Sequence, residues 1–172
     1  QIALLYAAMP DNTMGEDKST VSKTQSGYAK WIMRKGVSNS RYLEIGPDIG
    51  LVAKEMVRIS RPHHITFLEP NHSVHEELVR NVSEVPSIEV LDFTESVGES
   101  KFSLIVGVHV YDHLLNPLED LIEHQKKVSR GGHLAIVVHN EKSILRYLLR
   151  SHWPPFCLQH PQLYNLKSLQ NI

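Results

Sequence analysis

The chain has 172 residues, with 18 Lys and Arg against 19 Asp and Glu and a formal net charge of −1. A domain of this length hides roughly two-thirds of its unfolded surface, and a hydrophobic fraction of 41% supplies the core. Near-neutral charge argues against a nucleic-acid surface or an anionic-membrane binder. The lone cysteine, Cys157, excludes an internal disulfide and a four-cysteine zinc site.

No apolar run reaches the roughly 20 residues that span a bilayer, and Gln1-Ile2-Ala3-Leu4-Leu5 lacks the basic flank of a signal peptide. The expectation is a soluble, cytoplasmic protein, and the start at Gln rather than Met reads as a trimmed chain. Residues 10–27 are rich in Ser, Thr, Asp, Lys and Gly, with Met14 and Val21 the only sizeable apolar side chains. Residues 1–27 are therefore expected to be a flexible N-terminal segment and 28–172 the folded domain. Apolar residues return at helical spacing from Tyr28 to Met33, where Lys35-Gly36 supplies a stop.

Five short apolar segments then read as strands buried on both faces: Arg41–Ile45, Ile65–Leu68, Ile88–Leu91, Leu104–Val108 and Leu134–Val138. Helical stripes over Leu51–Ile59, Ser73–Asn81 and Leu118–Ser129 alternate with them, the last counting Val128 on its apolar face. Gly131-Gly132 reads as a helix-to-strand turn, and Glu141–Arg150 as a helix stopped by Trp153-Pro154-Pro155. The pattern specifies an α/β fold, a doubly wound, mostly parallel sheet with helices on both faces.

The chemistry gathers at strand ends. Leu43-Glu44-Ile45-Gly46-Pro47-Asp48-Ile49-Gly50 is a strand end, a glycine-bearing turn and a helix start, which exposes backbone N–H groups to a ligand at the carboxyl edge of the sheet. Gly46 allows the sharp turn and Gly50 the close packing of the helix. The spacing Gly46-x-x-x-Gly50 departs from the G-x-G-x-x-G of dinucleotide binders. Glu69 follows the second strand and can accept hydrogen bonds from both hydroxyls of a ribose; alternatively it caps the turn before Pro70. Asp92-Phe93 repeats the pattern after the third strand, with an acceptor for an adenine amino group and a ring to pack on the base, or an ordinary strand end with a core Phe.

Taken together, these segments resemble the class I S-adenosylmethionine-dependent methyltransferases over about residues 28–150. The matching residues are Leu43-Glu44-Ile45-Gly46-x-x-x-Gly50, Phe67-Leu68-Glu69-Pro70, Asp92-Phe93, and the fourth-strand run from Phe102 to Leu114 with its Tyr111-Asp112-His113-Leu114 ending. The resemblance implies S-adenosyl-L-methionine as cofactor. It would place the methionine part at Glu44 and the Gly46–Gly50 loop, the ribose at Glu69 beside Pro70, the adenine at Asp92 and Phe93, and the methyl group near Gly107, Val108 and His109. The acceptor expected is a small molecule or glycan, reached by in-line displacement. Nucleic acid is not an expected partner.

Two departures from the family pattern stand out. Asp48 occupies a position usually held by Gly, where it either caps the following helix, approaches the cofactor's ammonium, or crowds it. No antiparallel strand pair is legible after Val138, so the terminal edge of the sheet is expected to be missing or different. Among eleven histidines, His109 and His113 are four apart and His72 and His75 three apart, but no tetrahedral ligand set appears at motif spacing, so no metal is expected. His109 and His113 are the candidate catalytic bases; His113 otherwise is a structural residue opening a loop. The loops His139–Ser143 and Trp153–Gln162 suit a polar ring-shaped acceptor or merely pack on the surface. A non-catalytic cofactor-binding domain of a larger protein is the alternative from another class. A nicotinamide-dependent oxidoreductase finds little support, because Tyr164 and Lys167 are one residue short of the Tyr-x-x-x-Lys pair.

Overall fold

The first strand, β1 (Arg41–Ile45), is expected to be buried on both faces, and four of its five residues are buried. The structure is a computed structural model that describes residues 18–34, 36–99, 101–157 and 159–170. β1 pairs in parallel with β2 (His64–Leu68) and, on its other side, with β4 (Phe102–Val108). β3 (Ser87–Leu91) extends the sheet beyond β2, and β5 (Val128–Val137) beyond β4. The order β3-β2-β1-β4-β5 with every pairing parallel is the expected doubly wound arrangement.

Side-chain alternation along the strands feeds two apolar layers. On one face Tyr42, Ile65, Phe67, Leu104 and Val106 pack with Ala29 and Ile32 of α1 (Lys18–Met33), Val52, Ala53, Met56 and Val57 of α2 (Leu51–Ser60), and Leu78 of α3 (His75–Asn81). On the other, Leu43, Ile45, Leu68, Val97, Phe102 and Ile105 form a second cluster. The helix α4 (Pro117–Lys126) packs against β5, with Pro at its start and Glu119 and Asp120 in its first turn, where they complement the helix dipole. In α5 (Ile144–Leu149), capped by Ser143, no side chain is buried, and Ile144, Tyr147 and Leu148 are exposed. A last short helix, α6 (Leu166–Gln170), follows Tyr164.

Several expectations are corrected. Residues 18–27 are not loop: they form the first part of α1, which runs unbroken to Met33, while residues 1–17 lie outside the described residues. Val21, Gln25, Tyr28, Ala29 and Ile32 share its inward face at helical spacing, and α1 gains stability by lying on α2, with Lys30 3.6 Å from Glu55. Gly36 adopts a left-handed φ of 67° beyond the helix; Lys35 lies outside the described residues. Val128 belongs to β5 rather than to the preceding helix. Gly131-Gly132 does not precede the strand but sits within it, where Phe102 pairs with Val128 and Leu104 with His133, so β5 bulges by several residues. Among the described residues no strand follows β5, and only an isolated parallel bridge joins Asn140 to Tyr164.

Candidate functional site

In an open parallel sheet, ligands lodge outside the carboxyl ends of the strands where the strand order reverses, here at β1 between β2 and β4. A cavity of about 820 Å³ lies there. Glu44 of β1 with Gly46 and Asp48 after it, Glu69 and Pro70 after β2, Asp92 and Phe93 after β3, and Val108 at the end of β4 with His109 and His113 after it all line it. Gly50 and Gly107 do not. Each is instead a packing position: a Cβ on Gly50 would stand 2.6 Å from Leu78 Cδ1, and one on Gly107 2.9 Å from the Tyr111 ring.

The loop after β1 is held by backbone geometry. Gly46 turns with φ 58° and donates its N–H to the Leu68 carbonyl at 2.9 Å. Asp48 also has a left-handed φ, 52°, which accounts for the glycine that the family pattern usually carries there; Asp is among the few side chains that tolerate this region. The capping role considered for Asp48 is not the observed one, because α2 begins behind Gly50 with no side-chain cap. The Asp48 N–H instead donates to Glu69 Oε2 at 3.0 Å, while the Asn71 N–H donates to Oε1 at 2.8 Å. Burial raises the Glu69 pKa above the usual carboxyl range and these two hydrogen bonds oppose it.

Glu44 is fully enclosed. The Tyr42 hydroxyl donates to its Oε2 at 2.5 Å, and burial pushes the carboxyl from 4.5 up to about 8 against that hydrogen bond. On the opposite rim, Phe93 is exposed and Asp92 Oδ1 contacts His72 Nε2 at 3.0 Å, with the His75 ring stacked on His72 at 4.9 Å.

The end of β4 carries the histidines. His109 has a strained left-handed φ of 54°; its N–H donates to the Val137 carbonyl at 2.8 Å, and its Nε2 lies 3.2 Å from the Tyr28 hydroxyl of α1. His113 Nδ1 bonds the Gln159 carbonyl at 2.8 Å, so it carries the proton and Nε2 the lone pair; burial lowers the pKa of the ring. Two site residues escaped the sequence reading in this role. Asp112 is fully buried and accepts from the His139 backbone N–H at 3.2 Å, while His139 Nδ1 lies 3.2 Å from Oδ2. The His139 ring stacks on His109 with centroids 4.1 Å apart. Burial would raise Asp112, but the neighbouring His109 and His139 outweigh it and hold the carboxyl at about 2. His124, also on the cavity wall, is tied between Thr94 and Tyr111.

Among the described residues no helix is long and apolar enough to cross a membrane. The model of a family described as a methyltransferase domain matches residues 21–172. No curated protein matches the sequence. Among solved structures, the chain is similar to the N-methyltransferase NodS from Bradyrhizobium japonicum, crystallised with S-adenosyl-l-homocysteine (18% identity, TM-score 0.62, 78% of this chain and 69% of that one). It is also similar to a SAM-dependent methyltransferase from Leishmania major (17%, 0.63, 81% and 61%) and to the magnesium protoporphyrin IX methyltransferase of Synechocystis (9%, 0.68, 95% and 76%). The chain thus spans 61% to 76% of the length of these three. The match over residues 21–172, on a parallel sheet whose strand-end acids line one cavity, shows that the chain belongs to the methyltransferase domain family, the class I S-adenosylmethionine-dependent methyltransferases that its sequence resembles.

Proposed function

We propose that this chain transfers a methyl group from S-adenosylmethionine to a small-molecule or sugar-type acceptor, with the cofactor laid along the β1, β2 and β3 ends and the acceptor met at the β4 and β5 ends. The observation that carries the reading is the convergence of Glu44, Glu69, Asp92 and Phe93 with His109 and His113 on one cavity. When bound, the cofactor supplies a methyl carbon on a sulfonium, whose bond to sulfur breaks as the acceptor's lone pair attacks in line. The protein's part is alignment and exclusion of water. Glu44 faces the α-ammonium, Glu69 the ribose hydroxyls, which its carboxylate accepts while still holding the Asp48 and Asn71 N–H groups, and Asp92 the adenine amino group beside the Phe93 ring. Of the two bases, His113 fits the proton transfer better. Its lone pair is fixed on Nε2 by the Gln159 carbonyl, and its lowered pKa keeps the ring neutral and able to accept the acceptor's proton.

Isothermal titration with S-adenosylhomocysteine tests the cofactor half. One site per chain is expected, and Glu69→Gln or Asp92→Asn weakens it at least about tenfold, the effect of losing one charge-assisted hydrogen bond. Heat that is absent for the parent protein, or undiminished in both variants, overturns the assignment. Incubation with methyl-labelled cofactor and a panel of saccharides and small hydroxyl or amine compounds then reads the acceptor class.

A further inference from the structure

The cluster at the β4 and β5 ends contains a polar atom that the fold leaves unsatisfied. His109 Nδ1 is buried and has no hydrogen-bond partner among the described residues. Its ring is fixed from the other side by Tyr28 at Nε2, and Asp112 Oδ2 stands 3.7 Å from Nδ1, beyond hydrogen-bond distance. A buried imidazole nitrogen without a partner is costly and calls for an explanation. Across the cluster, His139 Nδ1 points to the same Oδ2 at 3.2 Å, and ligating atoms of His109, Asp112 and His139 all lie within 4.8 Å of one another.

We propose that His109, Asp112 and His139 form a binding site for one divalent transition-metal ion of the zinc class, at the acceptor end of the cavity. Two imidazoles and a carboxylate form a recurrent three-ligand set for such ions, with further positions left open. Bonds of about 2.1 Å at tetrahedral angles put ligand atoms about 3.4 Å apart; the two separations from Asp112 Oδ2, 3.2 and 3.7 Å, bracket that value, and the two histidine atoms lie within 4.8 Å of each other. The ligands are already held from behind. Tyr28 sets the His109 ring, the His139 backbone N–H anchors the Asp112 carboxylate, and Trp153 meets the His139 ring edge-on at 6.2 Å. A metal would take the His109 lone pair that nothing else receives and balance the buried Asp112 charge. His109 and His139 both face the cavity, so an open coordination position there accepts oxygen or nitrogen from whatever enters. On the proposed methyl-transfer reading that atom is the acceptor's, and coordination would position it and lower its pKa; the metal site itself does not depend on that reading.

Cobalt(II) titration of the cofactor-free protein tests the site, because a low-symmetry histidine and carboxylate site gives a visible ligand-field absorption far stronger and at longer wavelength than the weak band of solvated cobalt. Saturation at one ion per chain is expected, with displacement by one equivalent of zinc. Asp112→Asn and His139→Gln abolish the band, Tyr28→Phe weakens binding about 10- to 100-fold by releasing the His109 ring, and joint His72→Ala and His75→Ala leaves it unchanged. No stoichiometric band in the parent protein overturns the proposal, as does a band that survives His139→Gln or disappears with the His72 and His75 replacements. His139 is partly exposed, so its variant keeps the test decisive should Asp112→Asn fail to fold, which thermal melting followed by circular dichroism reports. The titration uses neither cofactor nor acceptor, so its result is independent of whether the methyl-transfer reading stands.

Discussion

Glu44 combines a functional position with an unfavourable environment. With its pKa pushed up to about 8, the carboxyl is largely protonated at neutral pH, yet a facing ammonium is best held by the carboxylate. Cofactor binding should then release a proton. The affinity for S-adenosylhomocysteine is expected to rise by up to about tenfold per pH unit between pH 6.5 and 8 and to level off above. Calorimetry in buffers of different ionisation heat counts the proton directly, and Glu44→Gln should bind more weakly with no pH slope over that range. A slope that persists in the variant assigns the proton to another group. Asp48 shows a second kind of residue-level tension: a non-glycine side chain in a left-handed turn whose backbone N–H, which any residue but proline would supply, donates to the Glu69 carboxylate.

At the scale of elements, the loop after β1 and the helix α3 share one contact. The missing Cβ of Gly50 is space occupied by Leu78, so the turn after β1 and α3 are positioned together. Gly50→Ala combines a left-handed conformation with overpacking and is expected to lower stability by at least about 2 kcal/mol. Gly98→Ala isolates the conformational part, since Gly98 has φ 60° but nothing near the Cβ position, and about 1 kcal/mol is expected. Urea denaturation of both variants separates the two effects; equal losses would mean that Leu78 yields without penalty. The same elements show what the sequence could reveal. β1 and the Glu44, Glu69 and Asp92 positions were legible because an apolar run followed by an acid is a local pattern. α1 was half missed because its inward stripe, Val21, Gln25, Tyr28, Ala29 and Ile32, contains too few apolar residues to outweigh the polar ones, and its stability comes from α2. Asp112 and His139 were not legible as partners, because 27 residues separate them and only the β4–β5 pairing makes them neighbours.

For the whole molecule, the buried acids set the pH response. A carboxyl raised in the folded state contributes stability that is present below its unfolded pKa and lost as pH rises through the folded one, for Glu44 between 4.5 and about 8. Glu69 acts in the same direction. His64 and His113, both lowered by burial, work the other way, but their contribution is complete above 6.5. Between pH 6.5 and 8 the cofactor-free protein should lose about 1 kcal/mol per pH unit, or about 2 to 4 °C in melting temperature per unit. Saturating S-adenosylhomocysteine should remove most of this slope by supplying the counter-charge. A flat melting profile without ligand would contradict the burial assigned to Glu44.

The two tryptophans of the chain stand in opposite settings. Trp31 is 54% exposed on the outer face of α1, whereas Trp153 is 4% exposed and meets the edge of His139. The intrinsic fluorescence therefore has two separable sources: a red-shifted emission open to aqueous quenchers that reports on α1, and a blue-shifted emission shielded from them. Because Trp153 meets the His139 ring edge-on, the second emission is a built-in optical reporter of the packing around His139.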